Sequence, residues 1–330
     1  MLHVHGLGHF HPENEISNAF LEELDIGTTN EWILERVGIR ARRTVLPLDY
    51  IRTTRNREPR AALEAALYTN AELGRRAAEL AIARAGIARS DIGLVIAGSS
   101  AVDTVTPAEA CNVANALGLE VPALDVNSAC TSLFAQLYLL DRMRPDALPP
   151  FVLMVVIDAL TRTVDYSDRN TAVLWGDGAA ALVVSTRTAG RAAILGSTLA
   201  SSPAGHDKVV VPRLGHFAQD GRAVQMFAVK KSCEGVERLR ATYGTPGRAF
   251  HFVGHQANLR MLETVCRQCD IPPDRHHSNV ESFGNTGAPS AASVVSMRWE
   301  RWTGADDVAL AGVGAGLTWA SCLLRFGGSA

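Results

Sequence analysis

No apolar stretch in this chain approaches the roughly 20 residues that a membrane-spanning helix needs, so no membrane span is expected. The N-terminus, Met1-Leu2-His3-Val4-His5-Gly6, lacks a basic segment followed by an apolar one, and no export signal is visible. Cysteine is sparse: six residues, at 111, 130, 233, 266, 269 and 322, are scattered through 330. That scatter does not look like a disulfide framework, and a cytoplasmic location is expected. Neither sign of charge dominates, since 32 Lys and Arg face 34 Asp and Glu, and a net charge of −2 gives no reason to expect a nucleic-acid partner. What remains, 47% apolar and 20% charged residues, describes an ordinary soluble enzyme or binding protein. The chain is long enough to bury a large core, as one big domain or as two similar halves.

Short apolar runs alternate with helical stretches. Strands are expected through Leu7, at Ile92 to Ala97, Phe151 to Ile157, Phe250 to Val253 and Val308 to Ala311, with another around Leu317 to Trp319. Helices are expected at Asn70 to Ala85, capped by Asn70 and closed by Gly86, and near Gln225 to Thr242, Asn258 to Cys269 and Ala288 to Trp299. Thr106-Pro107-Ala108-Glu109 fits a capping box. Val173 to Val184 reads as two strands around a Gly176-Asp177-Gly178 turn, and Leu46 to Thr69 as a basic, then Ala-rich, loop plus helix. Strands alternating with helices argue for an α/β fold with sheets covered on both faces.

Three segments carry chemistry. Cys130 sits where the apolar segment Val121 to Val126 meets the helical run Cys130 to Leu140. A thiol at a helix start meets unpaired N–H groups and a partial positive charge, which favour the thiolate; free cysteine is also a common small buried hydrophobe. His255, in Gly254-His255-Gln256-Ala257-Asn258, follows a strand end, where α/β folds place ligand-contacting side chains. Asn285 lies between glycines in Ser282-Phe283-Gly284-Asn285-Thr286-Gly287-Ala288-Pro289-Ser290, ahead of a helix of small residues. Singly, each has a bland structural explanation. Three of them at strand-to-helix junctions of one chain are harder to explain that way.

These segments, with Trp32-Ile33, Arg36-Val37-Gly38-Ile39, Trp175-Gly176-Asp177-Gly178-Ala179 and Gly312-Val313-Gly314-Ala315-Gly316-Leu317-Thr318-Trp319, resemble 3-oxoacyl-[acyl-carrier-protein] synthase III and its relatives among the thiolase-fold condensing enzymes. The elements occur in the family's order and cover nearly the whole chain. The resemblance implies a thiolase-like five-layered αβαβα fold from two duplicated halves, 1–190 with the nucleophile and 191–330 with the His and Asn, and a homodimer. It implies a Cys130, His255, Asn285 triad, with backbone N–H groups of Cys130 and Ala315 holding the oxyanion. Trp32, Arg36 and Arg169 would meet the nucleotide of coenzyme A, Asn258 would contact substrate, and Arg260 would meet an acyl carrier protein. Substrates would be acyl-CoA and phosphopantetheine thioesters, with no tightly bound cofactor.

The chemistry suits those residue types. A Cys130 thiolate stores an acyl group as a thioester. Neutral donors on His255 and Asn285 can hold the charge of an enolate as CO2 leaves a malonyl-type thioester, without a proton that would quench the carbanion. The enolate then forms the carbon–carbon bond of a 3-oxoacyl product. Three positions depart from the family's usual residues. Thr106, expected also to cap a helix, stands where a bulky aromatic often closes the acyl pocket across the dimer. Gln225 stands where an aromatic often lines the pantetheine tunnel, and Trp175 is larger than the usual Phe. Together with the long Leu46 to Thr69 stretch, they point to a specialised member, with a medium, long or bulky acyl group in fatty-acid-like or secondary-metabolite biosynthesis.

Alternatives share the thioester. A second 3-oxoacyl chain could be joined without decarboxylation, or the acyl group could pass to an alcohol or amine. A cysteine hydrolase and a non-catalytic partner subunit are further readings. Cys266-Arg267-Gln268-Cys269 has no second cysteine pair and gives no zinc site, so no metal is expected. Gly312 to Gly316 precedes a strand-like segment and is no dinucleotide fingerprint.

Overall fold

Nine strands form one mixed sheet in a computed structural model that describes residues 1–213 and 215–327. In the first part of the chain, Ala123–Asp125, Ile92–Gly98 and Phe151–Ala159 run parallel to one another, Asp177–Ser185 pairs antiparallel with the last of these, and the opening strand His3–Phe10 pairs antiparallel with Asp177–Ser185. The second part repeats that order with one parallel strand fewer. Ala249–Gly254 and Asp306–Gly314 are parallel, Thr318–Phe326 returns antiparallel, and Ala192–Ser201 lies antiparallel against it. The repeat is one of topology, with no matching letters in the sequence. The two sets meet at the short pairings His3–Ala193 and Val4–Ala192.

Helices complete the layers. Ser132–Arg142 and Ser290–Met297 pack against strands of both sets and lie between them. Asn70–Ala85 and Glu109–Ala116 cover the outer face of the first set, and Gly221–Tyr243 with Leu259–Gln268 cover that of the second. The result is the α/β five-layered architecture of a thiolase-like enzyme. Its composition explains the central layer: Ser290 through Ser296 are all buried, and their serine, alanine and valine side chains are small enough for a helix to fit between the two sets of strands. Phe151–Ala159 is buried from Val152 onward, as a near-continuous apolar strand covered on both faces must be. No helix among the described residues is long and apolar enough to cross a membrane.

Several local expectations are corrected. Thr69, not Asn70, caps Asn70–Ala85, accepting from Glu72 N at 3.2 Å. The Asn70 amide is buried and donates to Ala101 O and Glu109 Oε2. Thr106 caps nothing, because the helix starts later, at Glu109; its first N–H groups donate to the Asp125 carboxylate at 2.9 Å each. Gly176-Asp177-Gly178 is not a turn. One strand starts at Asp177, whose buried carboxylate accepts from Val45 N, Thr161 N and the Thr161 hydroxyl. Gly176 serves close approach instead, since a Cβ there would lie 2.0 Å from Phe283 O. Leu46 to Thr69 carries two short helices, Leu48–Thr54 and Pro59–Ala65.

Candidate active site

Cys130, on the loop after Ala123–Asp125, His255, just after Ala249–Gly254, and Asn285 meet at one cavity of about 710 Å³. Asn285 stands between the short helix Val280–Phe283 and Ser290–Met297, not at the strand-to-helix junction expected. Trp32, Arg36, Trp175, Gln225, Asn258 and Ala315 line the same cavity. Arg169 stands on its rim, stacked 5.1 Å from the Trp32 ring and donating to Gly27 O, while Arg36 stacks on the same ring at 4.8 Å. Two further expected residues are, like Arg169, not in its wall. Arg260 donates to Leu34 O and Glu35 O and pairs with Glu263, tying Leu259–Gln268 to the helix Asn30–Arg36. Thr106 lies exposed on the loop after Ile92–Gly98.

Cys130 sits two residues before its helix, which begins at Ser132. Ala129 takes the left-handed conformation, φ 48°, and turns the chain so that Thr131 N and Ser132 N bond to Ser128 O and Ala129 O. Two of the N–H groups expected to favour a thiolate are therefore already partnered. Burial pushes the Cys130 thiol up to about 12, and the nearby Asp158 carboxylate adds to that. Both effects favour the thiol over the thiolate, opposite to the direction expected from a helix start.

The Gly-rich segment is the turn between Asp306–Gly314 and Thr318–Phe326. Gly314 presses on the nucleophile's loop: a Cβ there would come within 3.2 Å of both Cys130 N and Thr131 N. The Thr131 and Thr318 hydroxyls, 2.7 Å apart, pin the two loops together, and Thr318 also bonds Ala315 O. Ala315 is thereby held beside Cys130, with both residues on the cavity wall.

The other two side chains are set by their hydrogen bonds. Gly287 N donates to Asn285 Oδ1 at 2.9 Å, so that atom is the amide oxygen and the NH2 group is left for the cavity. The glycines at 284 and 287 both adopt φ 68°, which permits this turn. Asn285 N bonds Leu174 O, and Gly176 N bonds Asn285 O, fastening the Asn loop to Trp175. His255 is buried, with Nδ1 2.8 Å from Ser290 Oγ, and burial holds its pKa down to about 4, so the ring is neutral near pH 7.

Sequence reasoning missed the supports behind these groups. Asp158, at the end of Phe151–Ala159, is fully buried and accepts from Ser100 N and Ala288 N, joining the Thr106 loop to the Asn285 loop. Burial raises its pKa to about 7. Arg42 is fully buried, donates twice to Val173 O and once to Asn18 Oδ1, and backs the wall that carries Leu174 and Trp175. Arg42→Met leaves two buried acceptors without donors, and about 2–4 kcal/mol of stability should be lost. Urea unfolding measures it; an unchanged midpoint would contradict the assignment. One of three arginines in Ile39-Arg40-Ala41-Arg42-Arg43, Arg42 carries no sequence signal of that burial. Trp175 was legible, and the structure seats it buried and edge-to-face on Phe217, with ring centroids 4.5 Å apart.

Comparisons with known proteins bear on the family and the fold. The family model described as 3-oxoacyl-[acyl-carrier-protein (ACP)] synthase III matches residues 124–203, and that for the family's C-terminal part matches 241–326. A beta-ketoacyl-[acyl-carrier-protein] synthase III 1 of Bacillus anthracis is 31% identical, with 98% of each chain covered. The 3-oxoacyl-(acyl carrier protein) synthase III structure from Pseudomonas aeruginosa superposes with a TM-score of 0.84 at 32% identity, covering 98% of each chain. That from Aquifex aeolicus gives 0.87 at 26% identity, covering 99% of this chain and 100% of its own. With the strand order, the cavity and full-length similarity all in agreement, this chain belongs to the 3-oxoacyl-[acyl-carrier-protein] synthase III family.

Proposed function

We propose that this acyltransferase loads an acyl group onto Cys130 and condenses it with a malonyl-type thioester on an acyl carrier protein, releasing CO2 and a 3-oxoacyl product. The observation that carries this reading is the pairing, in one cavity, of a thiol with two neutral side chains whose donor ends are free. Asn285 is turned donor-outward by Gly287 N, and His255 is neutral. Donors of that kind stabilise an enolate oxygen and do not protonate its carbon. Cys130 N–H and Ala315 N–H, from two residues that line the cavity, are the oxyanion donors for the tetrahedral steps. Substrates are coenzyme A and phosphopantetheine thioesters, with no tightly bound cofactor in the reaction. Trp32 with Arg36 and Arg169 offers a flat cationic platform for the nucleotide of coenzyme A, and Asn258 lines the same cavity.

A homodimer is part of the proposal. Ala123–Asp125 ends the sheet with one edge unpaired among the described residues, and exposed Leu124, Val102 and Val105 lie on that strand and the loop after Ile92–Gly98. Thr106, on that loop, then belongs to the partner's acyl pocket. Light scattering that found only monomer would count against it. A reducing cytoplasm suits six cysteines that are all free.

With Thr106 in place of an aromatic, medium, long or bulky acyl groups are the expected primers. Intact-protein mass spectrometry against a panel of acyl-CoAs of varied length checks this. The expected result is a stoichiometric adduct at Cys130 with the larger acyl groups, discharged by malonyl-carrier protein as a 3-oxo product; labelling confined to acetyl would contradict it.

A further inference from the structure

We propose that Ser290 is a positioning residue that locks His255 in the Nε2–H tautomer, and so makes the decarboxylation step, but not the loading of Cys130, depend on the Ser290 hydroxyl. The proposal rests on the reading of His255 as an enolate donor.

The argument is a count of hydrogens. Ser290 opens the helix Ser290–Met297 and is 1% exposed. Its Oγ has two polar neighbours among the described residues, Gln256 N at 3.2 Å and His255 Nδ1 at 2.8 Å. A backbone N–H can only donate, so Oγ accepts from Gln256. The hydroxyl's single hydrogen then has one place to go, His255 Nδ1. If Nδ1 carried the ring proton instead, the Ser290 hydrogen would be buried without an acceptor. The neutral ring therefore bears its proton on Nε2. That atom has no protein partner among the described residues and belongs to a ring that lines the cavity.

The same short segment aims the second donor. Gly287 N donates to Asn285 Oδ1, and Gly287 O accepts from Ser290 N at 3.3 Å. One turn, anchored by Ala288 N on the Asp158 carboxylate, thus sets both His255 and Asn285 as donors. The two half-reactions place different demands on His255. In loading, the Cys130 S–H bond and the thioester C–S bond break, Cys130 S–C forms, and the thiol proton ends on the departing coenzyme A or carrier thiol. An imidazole already protonated at Nε2 accepts nothing there. In decarboxylation, the C–C bond to the carboxylate breaks and its electron pair becomes the enolate. Negative charge builds on the thioester oxygen, where Nε2–H must already be present to donate. The enolate carbon then attacks the Cys130 thioester, the C–S bond breaks, and the freed cysteine sulfur regains a proton from solvent.

The test uses protein labelled with 15N-histidine, with His255→Asn to assign the signals. Wild type is expected to show His255 as Nε2–H at neutral pH. A wild-type ring protonated at Nδ1 overturns the proposal, whether or not any Ser290 variant folds. In Ser290→Ala the tautomer should become mixed, CO2 release from a malonyl thioester should fall by at least about tenfold, and acyl labelling of Cys130 should stay within about threefold. Ser290→Thr, which keeps the hydroxyl, should restore both the tautomer and CO2 release. An unchanged tautomer in Ser290→Ala, or equal loss in both half-reactions, overturns the proposal. Wild type that shows Nε2–H but releases no CO2 would remove the condensation reading and leave the tautomer assignment standing.

Discussion

Cys130→Ala is expected to abolish acyl labelling and to cut 3-oxo product formation by roughly three orders of magnitude or more. Carbon dioxide release from a malonyl thioester should survive in the same variant. The reason is geometric. In the proposed mechanism the acyl group is carried by Cys130, on the loop before Ser132–Arg142, whereas the proposed donors for the enolate come from the second half of the chain, after Ala249–Gly254 and before Ser290–Met297. The substitution removes a sulfur without touching the Gly287 and Ser290 contacts that hold Asn285 and His255. Intact mass and CO2 release, measured on one preparation, separate the two functions. Unchanged activity would end every reading in which Cys130 is the nucleophile.

Asn285→Asp should give the converse. A carboxylate at 285 still accepts the Gly287 N–H, so the turn can persist. The NH2 donor is lost, and a negative charge faces the position where enolate charge develops. Losing one such donor costs about 10²–10³ in rate at other preorganised sites, and at least that loss is expected in CO2 release. Labelling of Cys130 should still go to completion, because the proposed oxyanion donors for that step are the N–H groups of Cys130 and Ala315. Loss of labelling together with CO2 release would mean that Asn285 supports the whole pocket and does not act on the enolate.

The sequence announced the large features and hid the supports, for physical reasons. Phe151–Ala159 was legible because a strand covered on both faces must be apolar throughout, and Asn70–Ala85 because its period and Gly86 mark it. Cys130, His255 and Asn285 were legible because each stands in a motif, although Asn285 follows the short helix Val280–Phe283 where a strand was expected. Gly176-Asp177-Gly178 was misread because glycines that admit a neighbouring backbone look locally like glycines that make a turn. The helix cap at Glu109 came from Asp125, sixteen residues later, on the neighbouring strand. No local pattern could assign it. Thr106 met the local rule for a cap and is exposed instead. Ser290 was in plain view at the end of the Asn285 motif, yet only its packing size could be read; its hydroxyl gains meaning when the fold brings it to His255. The thiol's burial was likewise invisible, because charge at a helix start is a local feature and desolvation is a property of the whole cavity.

The most direct test mixes the enzyme with a medium- or long-chain acyl-CoA and malonyl-carrier protein labelled at the free carboxyl, and measures labelled CO2 and product mass together. One CO2 released for each 3-oxoacyl product, longer than the primer by two carbons, is the predicted result. Acyl-enzyme that hydrolyses or passes its acyl group to another acceptor, with no CO2 and no 3-oxo product, would contradict it.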